Sequence, residues 1–155
     1  MGFLAGKTAI ITGAGYAKLS NGRCGSIGYG IATAYAKEGA NLVITGRNVK
    51  KLTDAKEELE RLYGVKVVCV QADVNDSADN EAVVNNVVKQ AIDTFGRIDV
   101  LICNAGISMR ALFDDVDLEV LHRLMDVNFW GTVNCCKYAL PYLQQSKGSI
   151  VGISS

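Results

Sequence analysis

The stretch from Lys7 to Gly39 constrains this chain more than any other. Lys7-Thr8-Ala9-Ile10-Ile11-Thr12 is a short run rich in β-branched residues, the pattern of a strand buried on both faces. Gly13-Ala14-Gly15 follows at once, and a second glycine cluster stands at Gly25-Ser26-Ile27-Gly28-Tyr29-Gly30. From Ile27 onward, Ile31, Ala34 and Tyr35 recur at helical spacing, and Gly39 closes the pattern as a C-terminal cap. Strand, glycine loop and helix in that order suit a pyrophosphate. Glycine lets the backbone approach the anion, and the helix N-terminus supplies N–H groups and a positive dipole end. A glycine turn with no ligand has the same pattern, so the rest of the chain must decide.

Apolar and amphipathic runs alternate from there. Asn41-Leu42-Val43-Ile44-Thr45 reads as a second buried strand, and Gly46-Arg47-Asn48 as a turn with Asn48 as N-cap. Val49 to Tyr63 places Leu52, Ala55, Leu59 and Leu62 on one helical face and Lys, Asp and Glu on the other, closed by Gly64. Val65 to Ala72 predicts a third strand, followed by a loop and helix start at Asp73-Val74-Asn75-Asp76-Ser77. Ala82, Val83, Val87, Ala91 and Ile92 form the buried stripe of the next helix, which Gly96 stops. Ile98 to Cys103 predicts a fourth strand ending in Asn104-Ala105-Gly106. Asp117 to Gln145 is largely helical, with Pro141 kinking or shortening its end, and Ser149 to Ile153 is a fifth strand.

Strands alternating with helices predict an α/β fold: a doubly wound, Rossmann-like parallel sheet with helices on both faces. Residues 1–155 make one dinucleotide-binding domain. If the chain reverses direction after the third strand, the order is 3-2-1-4-5. The ligand crevice then lies beyond the C-terminal ends of strands one and four.

Composition narrows the partners. Basic and acidic residues number 16 each, so no net charge favours nucleic acid or an anionic membrane. No apolar run is long enough to span a bilayer and no signal peptide precedes the first strand, so a cytoplasmic location is expected. The five cysteines include no Cys-x-x-Cys pair, which suggests buried free thiols. His122 is the single histidine, which argues against a histidine-based metal site or triad.

Thr12-Gly13-Ala14, Ser26-Ile27-Gly28 with Ala32, Asp73-Val74, Asn104-Ala105-Gly106, Val127-Asn128-Phe129 and Ile153-Ser154-Ser155 occur in that order. Together they resemble the short-chain dehydrogenase/reductase family across essentially the whole chain. The resemblance implies a nicotinamide cofactor, hydride transfer between a ketone and a secondary alcohol, and a small-molecule carbonyl or alcohol substrate. It also implies a homo-oligomer, dimer or tetramer, for the complete protein. Gly13, Ser26, Ile27 and Gly28 would meet the cofactor. Asp73, with Val74 beside it, would bond the adenine amino group, and Asn104-Ala105-Gly106 would hold strand four against the ribose. Asn128 would hold a water in a proton relay; Ser155 would bond the substrate carbonyl oxygen. Each also has a plainer reading: a loop aspartate, a strand-end turn, a hydrogen-bonded core asparagine, an ordinary strand-end serine. Arg47, with no acid beside it at the end of strand two, favours the 2′-phosphate of NADP, with NAD as the alternative. Its plainer reading is a solvated arginine at a helix start.

Two departures stand against the family pattern. Tyr16 to Cys24 is an insertion of about nine residues in the glycine loop, and Ser26 stands where a glycine is expected. The enoyl-reductase branch also has a longer loop, which Ser26 to Ala32 resembles. In the insertion, Lys18 or Arg23 would reach the phosphates, or the loop is simply solvated. The second departure is the family's Tyr-x-x-x-Lys pair: none of the six tyrosines has Lys four residues on, and Lys66 and Lys147 each miss by one. The chain is therefore expected to be the cofactor-binding part of such an enzyme, truncated after strand five and inactive alone. The alternatives are an enoyl reductase and a non-catalytic nucleotide-binding or scaffold fragment.

Overall fold

The computed structural model describes residues 2–72 and 80–154. Five strands form one sheet: β1 (Thr8–Ile11), β2 (Asn41–Gly46), β3 (Val67–Gln71), β4 (Val100–Cys103) and β5 (Ser149–Gly152). Its order is β3-β2-β1-β4-β5 and every neighbouring pair is parallel, as the alternation of strands and helices predicts.

Period-two alternation along the central strands divides the core into two layers. Ala9, Ile11, Leu42, Ile44 and Ile102 face α1 (Ile27–Lys37) and α2 (Val49–Tyr63). Ile10, Val43, Leu101 and Cys103 face the other side, covered by α3 (Asn80–Phe95) and α5 (Gly131–Ser146). Both faces of β1 are therefore buried, which explains its uninterrupted apolar run. At about 1.5–3 kcal/mol for each fully buried Leu, Ile or Val, these layers outweigh any single surface interaction.

Local signals set the helix ends. Asn48 caps α2 by accepting from the Lys51 N–H at 3.0 Å, and Gly64 ends it at φ +67°. Gly39 follows α1 at φ +89°, in the expected left-handed turn. Asp117 caps α4 (Leu118–Met125) by accepting from the Glu119 N–H at 3.0 Å.

Several expectations need correction. β3 and β4 are shorter than the runs 65–72 and 98–103, although Lys66, Ala72 and Asp99 at their flanks still make backbone bonds to the neighbouring strands. Leu62 and Ala82 lie at the borders of their apolar stripes and are exposed. The long helical run is three pieces: α4, a π-helical segment at Asp126–Trp130, and α5. Pro141 does not shorten the run expected to Gln145, since α5 continues to Ser146 with Ala139 and Leu143 packed on the sheet either side of the proline. Cys24 is exposed rather than buried. Outermost in the sheet, β5 is exposed at all four positions, although Ile150 and Val151 point to opposite faces.

Candidate functional site

Helix α1 leaves the sheet on one face and α5 packs on the other, so a crevice opens beyond the C-terminal ends of β1 and β4. Thr12, just past β1, is its hub. Its hydroxyl oxygen accepts from the Asn104 N–H at 3.0 Å and the Ala105 N–H at 2.9 Å, and donates to the Ile102 carbonyl at 3.4 Å. The Asn104 side-chain amide returns to β1, donating to the Thr12 and Gly13 carbonyls at 3.0 and 3.1 Å. From β2, the Thr45 hydroxyl accepts from the Gly13 N–H at 3.3 Å and its carbonyl from the Ala14 N–H at 2.9 Å. Three strand ends are thus fastened with neutral groups only.

Two glycines are required by this fastening. Gly13 has φ +69°, a left-handed conformation that side chains disfavour. A Cβ on Gly28 would fall 2.0 Å from the Gly13 carbonyl oxygen and 2.6 Å from Asn104 Nδ2. Only glycine lets the first turn of α1 approach so closely. Ser26 caps that turn by accepting from the Tyr29 N–H at 3.3 Å, and Gly30 N–H goes to the Ser26 carbonyl. Among the described residues, the Ile27 and Gly28 N–H groups are left without a protein acceptor, at the positive end of the helix dipole.

The crevice has two connected parts. A cleft of about 180 Å³ runs past Gly13, Thr45, Gly46, Arg47 and Ala72. A larger one of about 590 Å³ runs past Ile27, Asn104, Ser108, Asn128, Ile153 and Ser154. Ala105, Gly106 and Ile107 line both. No described lining residue of either cleft carries a carboxylate, and the one charged group is Arg47, which is exposed. Such a crevice favours an anionic ligand.

Asn128 sits within the π-helical segment. It is exposed, not buried as expected, yet its amide is engaged twice. Oδ1 accepts from the Ile107 N–H at 2.9 Å, and Nδ2 donates to the Ile107 carbonyl at 2.8 Å. It therefore clasps the loop after β4, and a Cβ on Gly106 would approach its Oδ1 to 3.2 Å. Cys103 also lines the larger cleft, but burial pushes its thiol well above the ordinary range. Burial likewise pushes Cys135 up to about 12, so neither is a thiolate nucleophile.

Gly13, Ile27, Arg47, Asn104, Ala105, Gly106 and Asn128 thus line one crevice, with Ser26 and Gly28 in or just before the first turn of α1 next to Ile27, while Asp73, Val74 and Ser155 lie outside the described residues. Sequence reasoning passed over Thr12 and Thr45 as site residues; the available signal was a hydroxyl at the C-terminal end of adjacent buried strands. It also offered Lys18 to the phosphates, whereas Lys18 is ion-paired with Glu58 of α2. The described tyrosines offer no proton donor here. Tyr29 is buried and donates to Glu58 at 2.7 Å, and burial, then Glu58, pushes its pKa far up. Tyr138, on α5, donates to Glu81, which raises its pKa, and with Tyr142 lines a groove between α3 and α5.

The short chain dehydrogenase family profile matches residues 7–155. The chain belongs to the short-chain dehydrogenase/reductase family. The chain is 48% identical, over its whole length, to the 12alpha-hydroxysteroid dehydrogenase of a Clostridium species, covering 58% of that protein. It is 40% identical over 98% of its length to 11-beta-hydroxysteroid dehydrogenase A of Sesamum indicum, covering 40% of it. The L-sorbose reductase of Gluconobacter frateurii, solved with NADPH and L-sorbose, superposes with a TM-score of 0.84 at 29% identity, covering 98% of this chain and 53% of that one. The chain thus spans about half the length of these relatives. Among the described residues, no helix is long and apolar enough to cross a membrane, and no cluster of three or more His, Cys, Asp or Glu could hold a metal ion.

Proposed function

We propose that this chain is the cofactor-binding part of an NADP-preferring oxidoreductase that interconverts a ketone and a secondary alcohol on a rigid apolar substrate of the hydroxysteroid type. One observation carries the cofactor reading: a crevice whose described lining holds no carboxylate, with Ile27 at one wall, the unpaired Ile27 and Gly28 N–H groups in the first turn of α1 there, and Arg47 at the other wall. The donors fit a dinucleotide. The first turn of α1 would take the pyrophosphate, Arg47 a 2′-phosphate, and Asp73 the adenine amino group, with Val74 beside it.

When bound, the nicotinamide supplies or accepts hydride. The chain's own groups bind and orient. Asn128, its amide occupied by Ile107, keeps the loop after β4 in place and would hold a water of a proton relay beside it. Ser155 would bond the substrate carbonyl oxygen and stabilise the charge that develops there. The acid that protonates the resulting alkoxide needs a pKa near working pH, and no described tyrosine lines either cleft. We place it outside these 155 residues.

The substrate class is supported by the 48% and 40% identities to hydroxysteroid dehydrogenases and by the apolar Ile27, Ile107 and Ile153 at the larger cleft. The test is NADPH and NADH oxidation by the intact protein with keto-steroids, sugars such as L-sorbose, and enoyl thioesters. Fastest turnover of a keto-steroid with NADPH is expected. Reduction of the enoyl substrate alone, or binding of neither dinucleotide, would overturn this reading. The 155-residue chain by itself should bind the dinucleotide without turning over any ketone.

A further inference from the structure

The insertion in the glycine loop is a small folded hairpin. Lys18 and Cys24 form an antiparallel bridge, and Gly25 N–H donates to the Ala17 carbonyl at 2.7 Å. Leu19 N–H donates to the Arg23 carbonyl at 2.8 Å, and Gly22 turns the tip at φ +80°. It leaves the phosphate-facing loop after Gly15 and returns at Ser26, the cap of α1. Whatever orients the hairpin therefore orients both ends of that loop.

The orienting contacts converge on α2. Tyr16 N–H donates to the Lys51 carbonyl at 2.9 Å. The Tyr16 ring lies 5.1 Å from the ring of Tyr29, one turn into α1, and the Lys18 ammonium stands 5.9 Å from the Tyr16 ring centre. Glu58 joins these parts. Its Oε2 accepts from the Tyr29 hydroxyl at 2.7 Å and its Oε1 takes Lys18. The Glu58 side chain is only 11% exposed, which shields its bond to the buried Tyr29, while the Lys18 partner reaches in from the exposed side.

We infer that Glu58 is a positioning residue for the cofactor, acting through Lys18 and Tyr29 to hold the insertion hairpin and the first turn of α1 where the Ile27 and Gly28 N–H groups meet the pyrophosphate. Glu58 touches no cofactor atom. The inference rests on the dinucleotide reading above. It adds a residue in mid-α2 to a site otherwise built from strand ends, and gives the insertion a role.

Calorimetric titration of the intact protein tests it, using NADPH and adenosine 2′-monophosphate, which lacks the pyrophosphate. Glu58→Ala should weaken NADPH about tenfold and leave the 2′-monophosphate unchanged, since two charge-assisted bonds to the loop are lost. At saturating NADPH the kcat should stay within about twofold of wild type, so that the loss appears in KM. The exchanged pair Lys18→Glu with Glu58→Lys should recover most of the loss, a rescue that a merely structural role does not predict. Equal weakening of both ligands, or no change in NADPH affinity, overturns the inference while leaving the functional reading intact. A wild type that binds no dinucleotide overturns the functional reading and this inference together.

Discussion

The two ends of the sheet solve opposite problems with the same strands. At the N-terminal end, Asp99 just before β4 binds everything in reach. Its carboxylate accepts the Thr8 N–H at 2.9 Å and two Arg97 N–H groups at 2.7 and 2.6 Å, with the Lys7 ammonium at 3.9 Å. Its backbone donates to the Thr8 carbonyl and accepts from Ser149. That end is charged and closed. At the C-terminal end, Thr12, Thr45 and Asn104 tie the strands with neutral bonds, and no described carboxylate lines the crevice. The contrast teaches where a resident charge is affordable. A carboxylate at the ends of β1, β2 or β4, beside the first turn of α1, would occupy or repel what the helix amides are aimed at; at the closed side it only joins strands.

The largest effect should come from breaking the open end sterically. In Gly28→Ala the new methyl would sit 2.0 Å from the Gly13 carbonyl oxygen, so α1 must shift bodily off the loop. Urea unfolding of the intact protein should show a loss of at least about 3 kcal/mol, with dinucleotide binding abolished. An unchanged midpoint with retained binding would mean that this close approach is not needed.

At the closed end, Asp99→Asn keeps the shape and removes the charge, and should cost about 2 kcal/mol, discounted because Arg97 is 44% exposed. Burial pushes the Asp99 carboxyl up, but the Arg97 fork, the Thr8 N–H and Lys7 outweigh it, so the folded pKa is lowered. A lowered folded pKa gives stability that is complete above the unfolded value near 4 and is lost as pH falls through the folded pKa. The wild-type advantage over Asp99→Asn should therefore hold at neutral pH and shrink below about pH 4, in matched denaturation curves. An advantage that persists at pH 2 would show the effect to be packing rather than charge.

The closed and open ends also differed in how legible they were. The buried runs of β1, β2 and β4 read as central parallel strands, so the class followed from pattern, and the order and the crevice's position from the added premise that the chain reverses direction after β3. Gly13 and Gly28 were legible because the close turn between β1 and α1 restricts residue type. Asp99 was not, because one acid between Ile98 and Val100 looks like any strand-start charge until Arg97 and Thr8 fold onto it. The Glu58 network was hidden for the same reason. Lys18, Tyr29 and Glu58 are far apart in sequence and meet only when the insertion lies down on α2. Asn128 was located on its helix but expected to be buried; its clasp on Ile107 depends on a π-helical segment that periodicity does not reveal.

A smaller effect sharpens the open end's preference for anions. Arg47 is exposed and is the one charge on the described lining, so Arg47→Ala should leave stability unchanged. It should weaken NADPH about tenfold and NADH hardly at all, because only the former carries a 2′-phosphate. Titration of both dinucleotides against both proteins checks this. Tighter NADH than NADPH binding by the wild type would remove Arg47 from the site.

The smallest effect tests whether the closed end is as complete as it looks. Thr8 hydrogen-bonds through its backbone to Asp99 in both directions, yet among the described residues its hydroxyl is the one buried side-chain polar atom without a partner. The side chain is fully buried at the head of β1. Desolvating a hydroxyl without a compensating bond is unfavourable, and valine replaces it with a methyl of nearly the same volume while keeping the β-branch that suits a strand. Thr8→Val should therefore stabilise the protein by about 1 kcal/mol, read as a higher urea midpoint at unchanged slope. Because the Asp99 bonds are to the Thr8 backbone, the gain should add to the loss in Asp99→Asn within about 0.5 kcal/mol in the double variant. A destabilised Thr8→Val would mean that the hydroxyl has a buried water as its partner, and that the closed end is held by one more bond than the protein atoms show.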